Sequence, residues 1–357
     1  MSAHPVPRIA VVGTGWMARR VWLPMLAAHA GARVTAVVEP VAERREAALA
    51  ACPGAVPTTS EEIDRSVADA VVVAVPNDRH AEVAAPLLRR GMDVFVEKPV
   101  CLSSGEADTL ASASATGGGR LLAWSPARHR ADVAALASLR ADLGPVRYAE
   151  LEWVRAAGVP SHADWYRDGS RSGGGALVDL GWHLLDVGLD LLGGPGVLHA
   201  CGVVSADFVD RDDRAASWHA GAPTSTVRGR GVEDSAYGFV TTTDGTGISL
   251  RSSWASHNAR DLTRLALHGA RGSATLETTF GFSPHRTRPE LTVRVAGRER
   301  GVDLPHQEVG AEYRAQVDAL VAAVADPGRT GDALDRTHGI LAAIEGIYDT
   351  SGDFVHV

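Results

Sequence analysis

The sequence predicts two domains of different class. Residues 1–126 read as an α/β domain on a parallel sheet, and residues 127–357 as an α+β domain with a large, mostly antiparallel open sheet. Three observations predict this. Apolar runs alternate with helical patterns through the first third of the chain, the first run ends at a glycine turn, and after Ser125-Pro126-Ala127-Arg128 shorter strand-like runs follow, joined by turn signals. A chain of 357 residues is long enough to build two such cores.

In the first domain, Arg8-Ile9-Ala10-Val11-Val12 is a strand that ends at Gly13-Thr14-Gly15-Trp16-Met17-Ala18. This is the strand, turn and helix start of a dinucleotide-binding Rossmann domain in its G-x-G-x-x-A form. The glycines permit a tight turn and a close backbone approach to a pyrophosphate, which then sits on the helix N-terminus where Trp16 and Met17 lie. Pro24 predicts a kink or an end in that helix. A second strand, Arg33 to Val38, ends in Glu39, a little over twenty residues beyond the turn. A carboxylate there would accept hydrogen bonds from an adenosine ribose; an acidic residue that merely ends a strand is the plainer alternative. Glu39 favours NAD because it repels a 2′-phosphate, while Arg44 and Arg45 leave NADP open.

The alternation continues with a helix from Glu43 to Ala51, a buried Val-rich strand from Ala70 to Val75, and the loop Pro76-Asn77-Asp78-Arg79-His80. A helix from His80 to Arg90 closes at Gly91, and the strand Val94 to Val96 delivers Glu97-Lys98-Pro99. Ser103 to Glu106 has the capping-box pattern of a helix that runs to Gly117-Gly118-Gly119, and Leu121 to Trp124 is the last strand. The strand ends at Gly13, Glu39, Pro76 and Lys98 then share one edge of a parallel sheet, where such proteins bind ligands.

The second domain opens with a helix, Ala131 to Asp142, and an alternating strand, Val146–Val154. A polar loop from Ser161 to Gly175 carries Trp165-Tyr166-Arg167. Further strands are expected at 236–243, 247–255, 262–268, 273–277 and 291–295, the first two flanking an Asp244-Gly245 hairpin turn. The stretch Asp207 to Arg230 has no periodicity and looks like an insertion or a mobile loop. Amphipathic helices at 312–325 and 331–348 are expected to pack back toward the Rossmann domain. One helix in this domain stands out, Ala176 to Asp190, apolar on every face but one. Asp179, His183, Asp186 and Asp190 stand at i, i+4, i+7 and i+11, so they form one narrow stripe. Buried Asp and His need partners or a chemical task; a thin solvated face is the alternative. A metal reading lacks the remaining ligands, since no Cys or His cluster accompanies the pair.

Composition narrows the function. Of 35 Lys plus Arg, only Lys98 is lysine and 34 are arginine. A GC-rich coding bias explains the arginines but not the one lysine that remains. Arginine stays charged, whereas a lysine amine in a suitable setting can give or take a proton. A chance surface lysine is the bland reading, and the strand-end position argues against it. The net charge of −8 and the lack of a basic block give no support to a nucleic-acid or membrane-surface role. Cys52, Cys101 and Cys201 are far apart, which argues against a disulfide framework and fits a reducing cytoplasm. No apolar run reaches the ~18 residues of a membrane span.

The set Gly13-Thr14-Gly15, Pro76-Asn77-x-x-His80, Glu97-Lys98-Pro99 and Gly173-Gly174-Gly175-x-x-x-Asp179-x-x-x-His183 resembles the glucose–fructose oxidoreductase, inositol dehydrogenase and rhizopine-catabolism (Gfo/Idh/MocA) family, in family order and over nearly the whole chain. The resemblance implies Lys98, Asp179 and His183 as catalytic residues. It also places Pro76, Asn77, His80, Glu97, Arg128, Trp165 and Arg167 toward the cofactor, although Tyr166 is an extra residue inside the Trp-Arg pair. It implies hydride transfer between nicotinamide and a carbinol or keto carbon of a sugar, aminosugar or cyclitol, in a homodimer or homotetramer formed through the second sheet. In such chemistry His183 suits the base, Asp179 would orient it or hold a substrate hydroxyl, and Lys98 would bind the reacting oxygen. Redox-neutral epimerases or glycosidases of the same fold, and a non-catalytic cofactor-binding regulator, are the alternatives.

Overall fold

The computed structural model describes residues 6–160, 163–219, 228–326, 328 and 333–352. It divides into two compact units, Met1–Trp124 with Tyr313–Thr337, and Ser125–Glu312 with His338–Val357.

The first unit holds strands β1 (Arg8–Val12), β2 (Arg33–Val38), β3 (Val56–Pro57), β4 (Ala70–Val73), β5 (Asp93–Val96) and β6 (Leu121–Leu122) in one parallel sheet, ordered β3-β2-β1-β4-β5-β6. This is the doubly wound order of a dinucleotide-binding domain, with its switch point beside β1. Helices α1 (Leu23–Ala28), α2 (Ala42–Ala51), α3 (His80–Arg89) and α4 (Ser104–Gly117) supply the crossovers. Every residue of β4 and β5 is buried, as a parallel sheet covered on both faces requires. Register places Val12 opposite both Val38 and Val73, and Val73 opposite Val96. These four valines form one row, and the residues after them, Gly13, Glu39, Ala74 and Glu97, emerge together at the carboxyl edge.

Pro24 does not end the first helix. A π-helical turn, Ala18–Trp22, precedes α1, and its wider spacing relieves the clash between the proline ring and the preceding turn. Ser103 begins α4 as expected: its hydroxyl accepts the Glu106 N–H, while the Glu106 carboxylate accepts that of Leu102. The C-terminal helix Ala311–Ala325 contributes Val317, Leu320, Val321, Ala323 and Val324 to the same core as Ile9, Val11, Trp22, Leu26, Val34 and Phe95.

The second unit is built on eight strands, β7 (Val146–Val154), β8 (Val197–Ser205), β9 (Ser235–Thr242), β10 (Gly247–Ser253), β11 (Leu262–Gly269), β12 (Gly272–Thr278), β13 (Glu290–Val295) and β14 (Arg298–Val302). Their order is β14-β13-β12-β11-β7-β10-β9-β8, antiparallel at every step except β7 with β10. Asp244-Gly245 makes the β9–β10 turn, with the Asp244 carboxylate accepting from the Thr242 hydroxyl and the Thr246 N–H. The expected helix at 131–142 breaks at Leu139 into α5 (Ala131–Ser138) and α6 (Arg140–Leu143). A short α7 (Gly169–Ser172) precedes α8 (Trp182–Leu192), which packs on β7. The C-terminal helices are α9 (Ala311–Ala325) and α10 (Ala333–Thr350); residues 331 and 332, expected in the latter, lie outside the described residues.

Strands β8 and β14 escape the sequence reading because each is an edge. In β8 only Ala200 is buried, and β14 is polar and largely exposed. On the outward face at the β8 edge, Leu198, Val203, Tyr237 and Phe239 leave between 44% and 72% of their surface exposed. Among the described residues no helix is long and apolar enough to cross a membrane.

Leu320 is fully buried in the first unit's core. Leu320→Ala is expected to destabilise that unit by about 2–5 kcal/mol, read by urea unfolding, since it leaves a cavity in a sheet-facing helix. An unchanged midpoint would show that α9 does not complete this core.

Candidate active site

In the first unit the glycine turn is shaped by a close approach. Gly13 has φ +86°, and a Cβ on it would stand 2.6 Å from Ala74 O, so no side chain fits. Its N–H is held by Val38 O at 2.9 Å, and the helix begins three residues on, with Gly15, Trp16 and Met17 half-buried at its mouth. Thr14 donates its N–H and hydroxyl to Glu39 Oε2 at 3.0 and 2.8 Å, and Val41 N–H donates to Oε1 at 3.0 Å. Burial would raise the Glu39 carboxyl, but these donors and the nearby Arg44 hold it below the usual carboxylate range. Arg45, rather than Arg44, reaches the strand end, donating to Glu39 O at 2.8 Å; Arg44 is exposed. A bare glycine turn, free of any Cβ at the strand end, and an ionised acid after β2 fit a dinucleotide.

Two motifs of this unit meet at His80. The ring is 1% exposed, with Nδ1 2.6 Å from Pro99 O and Nε2 2.9 Å from Val75 O. It lies between the loop after β4, where Pro76 is half-buried and Asn77 buried, and the turn after β5, and as a neutral ring it donates to one of the two carbonyls. Burial pushes its pKa down. The sequence places His80 toward the cofactor; the structure engages both of its ring nitrogens with main-chain carbonyls, because a buried imidazole needs polar partners. Glu97 accepts Trp22 Nε1 at 2.6 Å and Lys98 N–H at 3.2 Å, and burial pushes its carboxyl up. Trp22 comes from the π-helical turn and packs against Phe95 with the rings tilted at 57° and their centres 4.8 Å apart. Glu97 is thus a buried anchor, and Lys98 follows it, half-buried at the sheet edge.

In the second unit the expected stripe is split. A π-helical turn, Leu177–Gly181, precedes α8, so the spacing of a regular α-helix does not hold across Asp179. Asp179 Oδ2 accepts Trp254 Nε1 at 2.8 Å and lies 4.0 Å from the Arg155 guanidinium. His183, Asp186 and Asp190 instead meet the segment after the last Rossmann strand. His183 Nδ1 is 2.7 Å from Ser125 Oγ, Asp186 Oδ2 accepts Ser125 N–H at 2.6 Å, and Arg128 pairs with Asp190 and, at 3.8 Å, with Asp186. Ser125 Oγ is itself fixed by the Ala127 N–H at 3.2 Å. His183 is 8% exposed and lies beside Trp153, ring centres 5.7 Å apart.

The start of this helix rests on Glu233, a residue the sequence reading missed. Its carboxylate accepts Gly175 and Leu177 N–H at 2.8 and 2.7 Å and the Tyr348 hydroxyl at 3.0 Å, while its main-chain carbonyl takes Ala176 N–H at 3.0 Å. A Cβ on Gly175 would stand 1.7 Å from that carbonyl, which explains the glycine. Burial pushes the Glu233 carboxyl up to about 7 against the pull of its donors. The visible signal was Glu233-Asp234, two adjacent acids at the start of an apolar strand. Ser125 carried none beyond its place at a strand end.

Arg167, expected toward the cofactor, has acceptors within its own unit. It is 8% exposed, and its guanidinium donates to Val209 O and, at 2.8 Å, to Asp210, because a buried cation requires acceptors. Tyr166, the extra residue, stacks on Trp165 with ring centres 3.9 Å apart. Residues 161 and 162 of this loop and 220–227 of the insertion-like segment lie outside the described residues. Among the described residues no group of three or more His, Cys, Asp or Glu is placed to hold a metal ion.

A parallel dinucleotide domain joined to an open-sheet domain with a buried Asp–His helix defines a class of nicotinamide-dependent oxidoreductase, and comparison with known proteins agrees. The description "Oxidoreductase family, NAD-binding Rossmann fold" matches residues 7–123, and "GFO/IDH/MocA C-terminal domain" matches residues 139–275. The chain belongs to the Gfo/Idh/MocA oxidoreductase family. It is 44% identical over 356 residues, 97% of this chain and 96% of the other, to a protein of Amycolatopsis mediterranei (strain S699) assigned as a UDP-kanosamine synthase oxidoreductase subunit. It is 29% identical over 332 residues, 91% and 92% of the two chains, to dTDP-3,4-didehydro-2,6-dideoxy-α-D-glucose 3-reductase of Streptomyces antibioticus. Among solved structures, GenD2 from gentamicin A biosynthesis, in complex with NAD, superposes with a TM-score of 0.75 over 99% of this chain and 97% of that one, at 22% identity.

Because the folded state raises the Glu233 pKa, this group's contribution to stability is complete below about 4.5 and is lost as pH rises to about 7. Thermal unfolding at pH 5 and 7.5 is expected to show a larger fall in Tm for the wild type than for Glu233→Gln. Equal falls would refute this account of the carboxyl.

Proposed function

We propose that this protein oxidises a carbinol of a nucleotide-linked hexose, or reduces the corresponding keto-sugar, with NAD as the hydride carrier. The observation that supports it most is the full-length similarity to the kanosamine-synthase subunit combined with the His183–Ser125 and Asp179–Trp254 contacts. A carbonyl on a sugar ring is what an amine-transferring enzyme needs, so an aminotransferase consuming the product is the partner this reading implies. Gly13, Thr14, Gly15 and Glu39, with Trp16 and Met17 at the helix mouth, would hold the dinucleotide; Glu39 favours NAD over NADP. Nicotinamide, when bound, supplies hydride exchange at a carbinol carbon.

The chain's own groups manage the proton and the orientation. With Nδ1 held at Ser125 Oγ, the His183 imidazole takes the hydroxyl proton as the hydride departs, which is the task of a general base. Asp179 accepts a hydrogen bond from a neighbouring substrate hydroxyl. Lys98 Nζ donates to the reacting oxygen and stabilises the charge that develops there, a role its anchor Glu97 supports by fixing the turn. Arg128, paired with Asp186 and Asp190, acts by holding the Ser125 segment in place.

The exposed Leu198, Val203, Tyr237 and Phe239 support self-association through the second sheet, and the free thiols of Cys52, Cys101 and Cys201 support a reducing compartment such as the cytoplasm.

With UDP-glucose, glucose and myo-inositol offered in turn and absorbance followed at 340 nm, Lys98→Arg and His183→Ala are each expected to lower turnover at least ~100-fold. Ser125→Ala is expected to lose about 5-fold, the scale of one neutral hydrogen bond. Near-wild-type rates in Lys98→Arg or His183→Ala would remove the assignment. NADH is expected to bind more tightly than NADPH by fluorescence titration. Sedimentation should find a dimer or tetramer that Phe239→Arg converts to a smaller species; a wild-type monomer would exclude the interface.

A further inference from the structure

The segment beginning at Asp207, to which the sequence assigns no role, is tied in its described parts to the surroundings of Asp179. Phe208 and Val209 give their N–H groups to Asp234 Oδ2, and Arg167 holds Val209 O and Asp210 from the other side. Further on, the N–H groups of Gly158 and Val159 both meet Arg214 O at 2.9 Å, and Ala216 N–H returns to Val159 O at 2.9 Å. The Arg214 guanidinium donates to Ala156 O at 3.3 Å and Ser256 O at 3.0 Å. These bonds fix the path of the chain up to Trp218.

Trp218 then lies on Arg155. The guanidinium carbon is 4.9 Å from the Trp218 ring centre and 5.1 Å from that of Trp153, so the cation rests against two indoles. One of its nitrogens donates to Gly158 O at 3.3 Å and lies 4.0 Å from Asp179 Oδ2. The side chains of Arg155 and Asp179 are 13% and 15% exposed, which weakens solvent screening between them. At 4.0 Å the attraction is coulombic and without a fixed bond, so its strength depends on how firmly the guanidinium is held. A long arginine chain has rotamer freedom to lose, and stacking on an indole face both attracts the cation and removes that freedom.

We propose that Trp218, acting through Arg155, positions the Asp179 carboxylate, and that residues 207–219 are therefore part of the apparatus that sets catalytic rate. This rests on the reading of Asp179 as a substrate-contacting residue. Arg155, after β7, is a charged group paired with Asp179, and His183 is the next titratable residue along its helix. Loss of the cation favours the protonated form of either group, so the acid limb of the pH profile moves to higher pH whichever of the two sets it.

The test uses the full-length enzyme, NAD and whichever of UDP-glucose, glucose or myo-inositol the wild type oxidises fastest. Trp218→Leu and Arg155→Gln are each expected to lower kcat/KM by about 5-fold or more, and Trp218→Phe to restore most of the loss because it keeps an aromatic face. The acid limb is expected to move up by about half a unit in the first two variants and to return in the third. Circular dichroism confirms folding, and Arg155→Gln carries the test if Trp218→Leu misfolds. Unchanged rates and an unmoved acid limb, with Asp179→Asn inactive, would overturn this proposal alone. Wild-type turnover in Asp179→Asn would overturn the reading of Asp179 and this proposal with it.

Discussion

The arrangement of the second unit depends on a buried carboxylate at the start of a helix. Glu233 gathers the free N–H groups of the first turn, which a helix beginning in the interior has no water to satisfy. Its main chain takes another, and Tyr348 closes the group from the C-terminal helix. In the triple-glycine approach a side chain on Gly175 would strike Glu233 and one on Gly174 would strike Tyr348, so nothing larger fits at either position. Asp179 and His183 take their positions from that anchored end, so the geometry of the proposed chemistry is set several residues before the reactive groups appear. The adjacent Asp234 meanwhile holds the start of the insertion-like segment, so one dipeptide fixes both the start of the Asp179–His183 helix and that segment.

Both units place a π-helical turn immediately before a helix of functional interest. In the first unit the turn lets the helix continue past Pro24 and directs Trp22 to Glu97; in the second it separates Asp179 from His183. The physical effect is the same: an extra residue per turn changes which side chains share a face. Asp179 joins the end of β10 and the Arg155 cation, while His183 joins Ser125. A regular helix would have aligned all four polar residues along one line.

Much of this was legible in the sequence for reasons that can be stated. The alternation of Val-rich strands with helices, and the glycine turn, specify the parallel sheet, because buried parallel strands are apolar on both faces and a dinucleotide needs a bare turn. The row of strand ends at Gly13, Glu39 and Glu97 follows from that alone. The edge strands β8 and β14 were not legible, since a strand with one neighbour and little burial carries no strong periodicity. The split of the Asp179–His183 stripe was hidden because i, i+4 counting assumes a regular helix. The acceptors of Arg167 were not legible because Val209 and Asp210 lie some forty residues away in sequence. Ser125 and Glu233 act through contacts of similar range, 58 residues to His183 and to Gly175 respectively.

The single lysine has a consequence outside catalysis. With all other basic side chains guanidinium, amine-directed chemistry such as acylation, carbamylation or condensation with a sugar aldehyde finds one side chain in the fold, half-buried in the turn after β5. Damage that most proteins spread harmlessly over many surface lysines is here confined to the residue assigned to the reacting oxygen. An enzyme that handles carbonyl sugars is then exposed to inactivation by its own class of metabolite, and the partial burial of Lys98 becomes a matter of chemical survival as well as of rate.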